Sequence, residues 1–433
     1  MRLTGVYWKQ FVGNYWKRYV QRRMREVNGF DKYVPLIGWK VMRNKTWRYN
    51  QYRAWETMGQ AYNSEEREFI PVEPIKKWSI FKGDREDKSG MSDITEGALL
   101  GIGNPLLDIT VNGDQSLLDE FGLKSNNAII AEEPHMPLFQ KIVTEYEPFY
   151  LAGGATQNSI RVAQWMLQKR NATSFFGGVG NDMYRKILME KAEEVGVNVR
   201  YETHPKLATG KCCAIITGED RSLVTDLGAA RHFTNDFLHQ PENWSLVEKA
   251  DCLYIGGFIV PVSSKAVVSV LKYAAANNKT VIMNLHATFL CKYFADPDLD
   301  LMRYIDVLFG NGDEASEFGK CMGFDFNSVS DICRKTVSLP KENSKKGRVV
   351  VFTQGRGPTV LGDGDDVREI PVHAVDKSLI KDTNGCGDAF VGGFLSQLVQ
   401  KRSIDACLRA GSYAARTVIQ YYGCNFPDKP DFE

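Results

Sequence analysis

Histidine is scarce in this chain: six among 433 residues, none in a close cluster. Imidazole metal centres and Ser–His–Asp chemistry therefore find no support. Nine cysteines are dispersed, with one adjacent pair at Cys212 and Cys213 and no C-x-x-C spacing. An odd, scattered set argues against a disulfide framework or a zinc site and fits a reducing compartment. No apolar run approaches the roughly 20 residues of a membrane span, so the sequence reads as soluble. The formal net charge is only +1, which gives no general attraction to DNA. No internal repeat or low-complexity tract is present.

The small net charge hides an asymmetry. Residues 1–50 carry twelve Lys or Arg against two acids, Glu26 and Asp31, and six of the eight tryptophans lie in the first 78 residues. This composition sets off residues 1–90 as a basic, Trp-rich extension, with Asp84–Gly90 as linker and a second domain over 91–433. Three readings of the extension stay open: a mitochondrial transit segment, a basic aromatic arm that contacts RNA, and an exposed, poorly ordered tail. Within it, residues 69–84 resemble the start of a mitochondrial KOW-type ribosomal large-subunit protein, up to the point where the KOW loop would begin. The likeness implies a ribosomal contact through residues 1–90.

From Gly97 onward strands and helices alternate. Short apolar runs at Ala98–Gly103, Ser174–Gly180, Cys252–Gly256, Val281–Leu285, Val307–Gly310 and Val349–Thr353 read as buried strands that end at glycine or polar residues. Helical spacing occupies Ser159–Gln168, Ser264–Asn277 and the stretch from Leu379 to Gln400. The order predicts an α/β fold, a doubly wound, mostly parallel sheet whose ligands gather at the carboxyl ends of its strands. Two segments break the alternation, about 105–135 and 206–235. Their β-like runs, such as Cys212–Ile216 and Ser222–Asp226, predict a smaller β-rich lid that would keep water from the site.

The richest stretch is Lys381–Phe394, which packs a turn, a glycine pair, one carboxylate and the start of an apolar helix. Gly385 and Gly387 let backbone N–H groups approach a ligand closely. Asp388 falls in the expected first helical turn, where unpaired N–H groups and the helix dipole favour a phosphate. A carboxylate beside such an anion is placed to take a proton from an attacking hydroxyl. Asp at a helix start is also an ordinary cap, and Gly-x-Gly is common in turns. The polar Asp382-Thr383-Asn384 upstream and Gly392-Gly393 downstream favour a built site.

Several segments carry a wider likeness: Gly103-Asn-Pro-Leu-Leu-Asp-Ile109, Ala152-Gly-Gly-Ala-Thr-Gln-Asn-Ser159, Asp220-Arg-Ser-Leu223, Phe309-Gly-Asn-Gly-Asp-Glu314, Val351-Phe-Thr-Gln-Gly-Arg356, the Asp382–Asp388 block and the tail from Gly423 to Phe432. With them the chain from about 97 to 433 resembles the ribokinase-like (PfkB) carbohydrate kinases, and their adenosine kinase branch most closely. The resemblance implies ATP-dependent phosphorylation of adenosine at its 5′-hydroxyl, giving AMP and ADP, with Mg2+. In that frame Asp388 is the general base, and the N–H groups of Gly385, Cys386 and Gly387 form an anion hole. Arg221 reaches the phosphate with the lid, and Asn311 and Glu314 hold Mg2+ through water. Asn104 and Asp108 anchor ribose and adenosine, with Gly153, Gly154 and Asn158 lining the sugar. Leu106, Leu223 and Phe258 meet the base, and Thr353, Gly355, Arg356 and Asn384 border ATP.

The chain departs from the family pattern at Cys386, Ala155, Ile215, Asp226, His286, Thr288 and Gly312, positions that touch the anion hole, the sugar, the base pocket and the metal. Two alternatives therefore stand beside adenosine: another nucleoside or a sugar as substrate, and a non-catalytic, ribosome-associated protein. The family implies a cytoplasmic monomer that also enters the nucleus, whereas the basic extension implies mitochondria.

Overall fold

The computed structural model describes residues 60–63, 68–71, 94–125, 127–218, 220–343 and 347–432. The chain divides into two compact units, Met1–Asp87 and Lys88–Glu433. In the first, β1 (Gln60–Asn63) and β2 (Glu68–Pro71) form an antiparallel pair. The basic tract over 1–50, the Asp84–Gly90 linker and all of the ribosomal-protein-like stretch beyond Pro71 lie outside the described residues.

The second unit carries two sheets. Its strands are β3 (Leu99–Ile102), β4 (Leu106–Asn112), β5 (Ala128–Ile130), β6 (Phe149–Gly153), β7 (Thr173–Gly180), β8 (Asn198–His204), β9 (Lys211–Thr217), β10 (Asp220–Asp226), β11 (Cys252–Gly256), β12 (Thr280–Asn284), β13 (Val307–Asn311), β14 (Val349–Gln354), β15 (Gly357–Asp363) and β16 (Asp366–Ile370). Among the described residues the larger sheet has nine strands in the order β16-β15-β14-β13-β12-β11-β3-β7-β8. From β14 to β8 every pair is parallel, and β15 and β16 add an antiparallel edge.

Both faces of this sheet are buried. Leu100, Ile102, Leu253, Ile255, Leu308 and Val350 pack into one apolar cluster, and the alternating Leu99, Tyr254, Ile282, Phe309 and Val351 pack into the other. Strands covered on both sides lose the polar alternation, which is why they read as short continuous apolar runs. The strand order reverses its growth beside β3, with β7 on one side and β11 on the other. Such a switch point leaves a crevice at the carboxyl ends of the strands.

The smaller sheet runs β5-β10-β9-β4-β6. Its period-two alternation sorts the side chains. Ile109, Val111, Cys213, Ile215 and Val224 join Leu117, Leu118, Leu138, Phe139 and Ile142 in a core of their own, formed against the helices Gln115–Glu120 and Met136–Glu145. Leu106, Asp108, Arg221 and Leu223 are therefore left on the opposite face. The expected lid segments supply four of the five strands; β6, immediately before Gly154, is an unforeseen fifth.

One expected helix is shorter than read. Read as one helix from Leu379 to Gln400, the stretch instead begins at the end of a 3-10 turn, Lys377–Leu379, and its helix starts only at Cys386 and runs to Leu398. Gly385 caps it in the left-handed region, at φ +75°. Gly392 and Gly393 then let this helix lie against its neighbours: an added Cβ would stand 2.5 Å from Ser159 O and 2.3 Å from Ala410 O respectively.

Candidate active site

The site is assembled from three starts: the end of β3, the helix Ala155–Leu167, and the helix Cys386–Leu398. Asn104 follows β3 and is 5% exposed. Its Nδ2 donates to the carbonyl of Phe258 at 3.1 Å, joining the ends of neighbouring strands β3 and β11. Its Oδ1 is buried without a partner, so it offers an acceptor to whatever enters the crevice. Gly154 makes this approach feasible, since at φ +88° a Cβ there would lie 2.4 Å from Asn104 O.

Asp108 stands on β4 against β6. A Cβ on Gly153 would come 2.3 Å from its Oδ1, so the glycine clears the carboxylate's seat. Burial pushes the Asp108 carboxyl up to about 7; the charge of Asp388 acts in the same direction and Arg221 opposes it. A group so poised between states is characteristic of a functional cleft.

Asp388 lies in the first turn of its helix. Asn158 Nδ2 donates to its Oδ2 at 3.0 Å, and the Asn158 Oδ1 is left buried and unpartnered. Burial drives Asp388 up to about 7, while the Asn158 bond pulls it down. The first N–H groups of a helix have no partner inside it. Around Gly387 no heavy atom would lie within 4 Å of an added Cβ, so that turn is open to a ligand. The Cys386 N–H points at Thr383 O across a long 3.4 Å. Its thiol turns toward Asp382 O, at 3.9 Å, rather than across the turn. Burial pushes that thiol up to about 12, so it stays protonated and its bulk leaves the backbone donors clear.

Asp382 is the residue whose importance sequence reading missed. Its carboxylate accepts from Asn384 N at 2.8 Å and Gly423 N at 2.7 Å, and pairs with Arg221 Nη2 at 2.9 Å. It fastens the turn, the tail and the lid strand β10 together. Only its placement between polar neighbours signalled it. The Arg221 Nη1 remains buried and unpartnered, a free arm of a guanidinium fork suited to a phosphate oxygen.

Asn311 and Glu314 form a capping box at the start of the helix Gly312–Cys321. Asn311 Nδ2 donates to Glu314 Oε1 at 2.7 Å, the Asn311 N–H donates to Oε2 at 2.9 Å, and Glu314 N–H returns to Asn311 Oδ1 at 2.8 Å. Burial raises Glu314 to about 7. Each carboxylate oxygen accepts one bond and keeps a second lone pair. That donor set fits a hydrated Mg2+ held through water, and the cap is its local reason for existing. Among the described residues no group of three or more His, Cys, Asp or Glu is placed to hold a metal directly.

Asn311 faces Thr353 across the β13–β14 register. Beyond Thr353 come Gly355, at φ +59° in the turn to β15, and exposed Arg356. Asn384 is held in the turn before the Cys386 helix by its N–H, which donates to Asp382 Oδ1 at 2.8 Å. Phe258 stacks on His286 with ring centroids 5.1 Å apart and planes 14° from parallel. Leu106 and Leu223 share the lid face with Asp108 and Arg221 and are only partly buried.

Comparison with known proteins points the same way. Residues 116–431 match the pfkB family carbohydrate kinase pattern. The chain is 45% identical over 337 residues to adenosine kinase 2 of Arabidopsis thaliana, covering 78% of this chain and 98% of that protein. The structure of Anopheles gambiae adenosine kinase in complex with P1,P4-di(adenosine-5) tetraphosphate aligns with a TM-score of 0.76 and 43% identity, covering 78% of this chain and all of that one (100%). Adenosine kinase from Schistosoma mansoni in complex with 2-fluoroadenosine aligns with a TM-score of 0.74 and 32% identity, over 77% and 98% of the two chains.

Proposed function

The chain belongs to the pfkB family of carbohydrate kinases and phosphorylates adenosine with ATP as donor; we propose that Asp388 takes the proton of the 5′-hydroxyl as that oxygen attacks the γ-phosphorus. The new O–P bond forms as the bond to the β,γ-bridging oxygen breaks, the proton passes to the carboxylate, and ADP leaves. The observation that carries this reading is the Asp388 carboxylate at a helix start, held by Asn158 at 3.0 Å and tuned to about 7. A base with that affinity for protons works near neutral pH.

We assign the other residues the following roles. Asp108 accepts from the ribose hydroxyls, and the free Oδ1 of Asn104 binds the same sugar. Phe258, Leu106 and Leu223 meet the flat base. The N–H groups of Gly385, Cys386 and Gly387 at the helix start and the free Arg221 Nη1 receive the charge that develops on the phosphoryl group. Thr353, Gly355, Arg356 and Asn384 border the nucleotide donor. Asn311 and Glu314 would hold hydrated Mg2+, which when bound offsets phosphate charge. A monomer in the cytoplasm completes the proposal. No helix among the described residues is long and apolar enough to cross a membrane.

A panel of adenosine, inosine, guanosine and ribose with ATP tests the substrate. Adenosine is expected to give the highest kcat/KM; preference for ribose or inosine would overturn the assignment of the base pocket.

A further inference from the structure

His286 belongs to none of the roles above, yet its ring is locked on every side. Its backbone is left-handed at φ +63°, a conformation few non-glycine residues adopt but histidine tolerates better than most. Its N–H donates to Asn284 Oδ1 at 3.2 Å. Its Nδ1 faces Gly257 N–H at 3.0 Å, which makes Nδ1 the acceptor. The proton then sits on Nε2, which meets the Tyr254 hydroxyl at 3.3 Å. Burial holds the ring neutral by pushing it down to about 3, so this tautomer persists across the working pH range. Gly256 clears space for it: a Cβ there would fall 2.0 Å from Thr156 Oγ1 and 3.1 Å from His286 Cε1.

The locked ring lies flat on Phe258, at 5.1 Å and 14°. Phe289 meets the same Phe258 ring tilted, at 6.2 Å and 51°. Phe258 is also tied at its carbonyl to Asn104, the sugar anchor. One polar chain thus runs from Tyr254 through His286, and one stacked contact carries it on to Phe258 and Asn104. We infer that His286 is a positioning residue for nucleobase selection: it backs the Phe258 ring and fixes its plane, so that a purine meets a rigid wall. The inference rests on the reading of Phe258 as the base-stacking wall.

Stacking contacts of this kind are worth about 0.5–1.5 kcal/mol, so loss of the backing ring is expected to raise the KM for adenosine about 3- to 10-fold. The variant His286→Asn keeps the left-handed backbone and an acceptor for Gly257 N–H while removing the ring. Its expected behaviour is a raised KM for adenosine with kcat and the KM for ATP within about twofold of the parent. His286→Phe, which restores a flat ring, recovers part of the lost affinity. Phe258→Ala serves as the control. If Phe258→Ala leaves the adenosine KM unchanged, the base-wall reading itself fails. If Phe258→Ala raises KM but His286→Asn does not, the wall stands and the inference about His286 is wrong. A fall in kcat and melting temperature together with a rise in both KM values in His286→Asn would equally overturn it in favour of a purely structural role.

Discussion

The Asn158 side-chain amide donates to the Asp388 carboxylate at 3.0 Å, joining two helix starts that are 230 residues apart in sequence. The bond orients the carboxylate and favours its charged form, because an N–H donor stabilises the anion. In Asn158→Ala that pull is lost, so the protonation midpoint of Asp388 moves further above about 7. The acid limb of the kcat/KM profile is expected to shift to higher pH, and kcat at neutral pH to fall about 10- to 100-fold from misplacement. A pH–rate profile checks both.

Gly153 makes room for Asp108, whose Oδ1 would lie 2.3 Å from an added Cβ. In Gly153→Ala the carboxylate must move. The expected outcome is an adenosine KM raised about tenfold or more, with the ATP KM little changed, since a displaced contact degrades binding at that contact alone. Steady-state kinetics in both substrates distinguish this from a general loss of folding.

The Asp382 carboxylate is 2% exposed and its partner Arg221 13%. Asp382→Ala strands a buried guanidinium and frees the N–H groups of Asn384 and Gly423. Breaking such a pair costs about 3–5 kcal/mol, read by denaturant unfolding. Arg221→Met leaves Asp382 its two N–H donors, so its stability loss should be smaller while its kcat falls with the missing phosphate contact.

Asp108 carries a pH signature in stability. Its folded midpoint, about 7, lies above the ordinary 3.8. Such a group contributes stability fully present below the unfolded value and lost as pH rises through the folded one. Asp108→Asn, which never ionises, should therefore melt on the order of a few degrees above the parent at pH 8.5. The gain should vanish near pH 4, and its activity should be poor throughout.

The glycine turn and helix start at Gly385, Gly387 and Asp388 were legible because their signals are local: the three residues are neighbours in sequence. Buried parallel strands announced themselves as apolar runs. The start of the Cys386–Leu398 helix was legible from the Gly385–Asp388 turn but not from the apolar spacing at Leu379, because the left-handed Gly385 sets it. Strand β6 escaped notice because it pairs with β4 at a sheet edge, and Phe149 remains 61% exposed. The Asn311–Glu314 spacing carried a capping-box signal that metal chemistry overshadowed. Asp382 and His286 act through partners distant in sequence, Gly423 and Arg221 for one and Tyr254 and Phe258 for the other. No local pattern encodes such contacts.

The most direct test compares Asp388→Asn with the parent for AMP formation from adenosine and ATP, alongside calorimetric binding of adenosine. General-base loss is expected to cut kcat about 10²- to 10⁴-fold, with adenosine affinity kept within a few fold. Parent-like AMP formation by Asp388→Asn would contradict the assignment of Asp388 as the base.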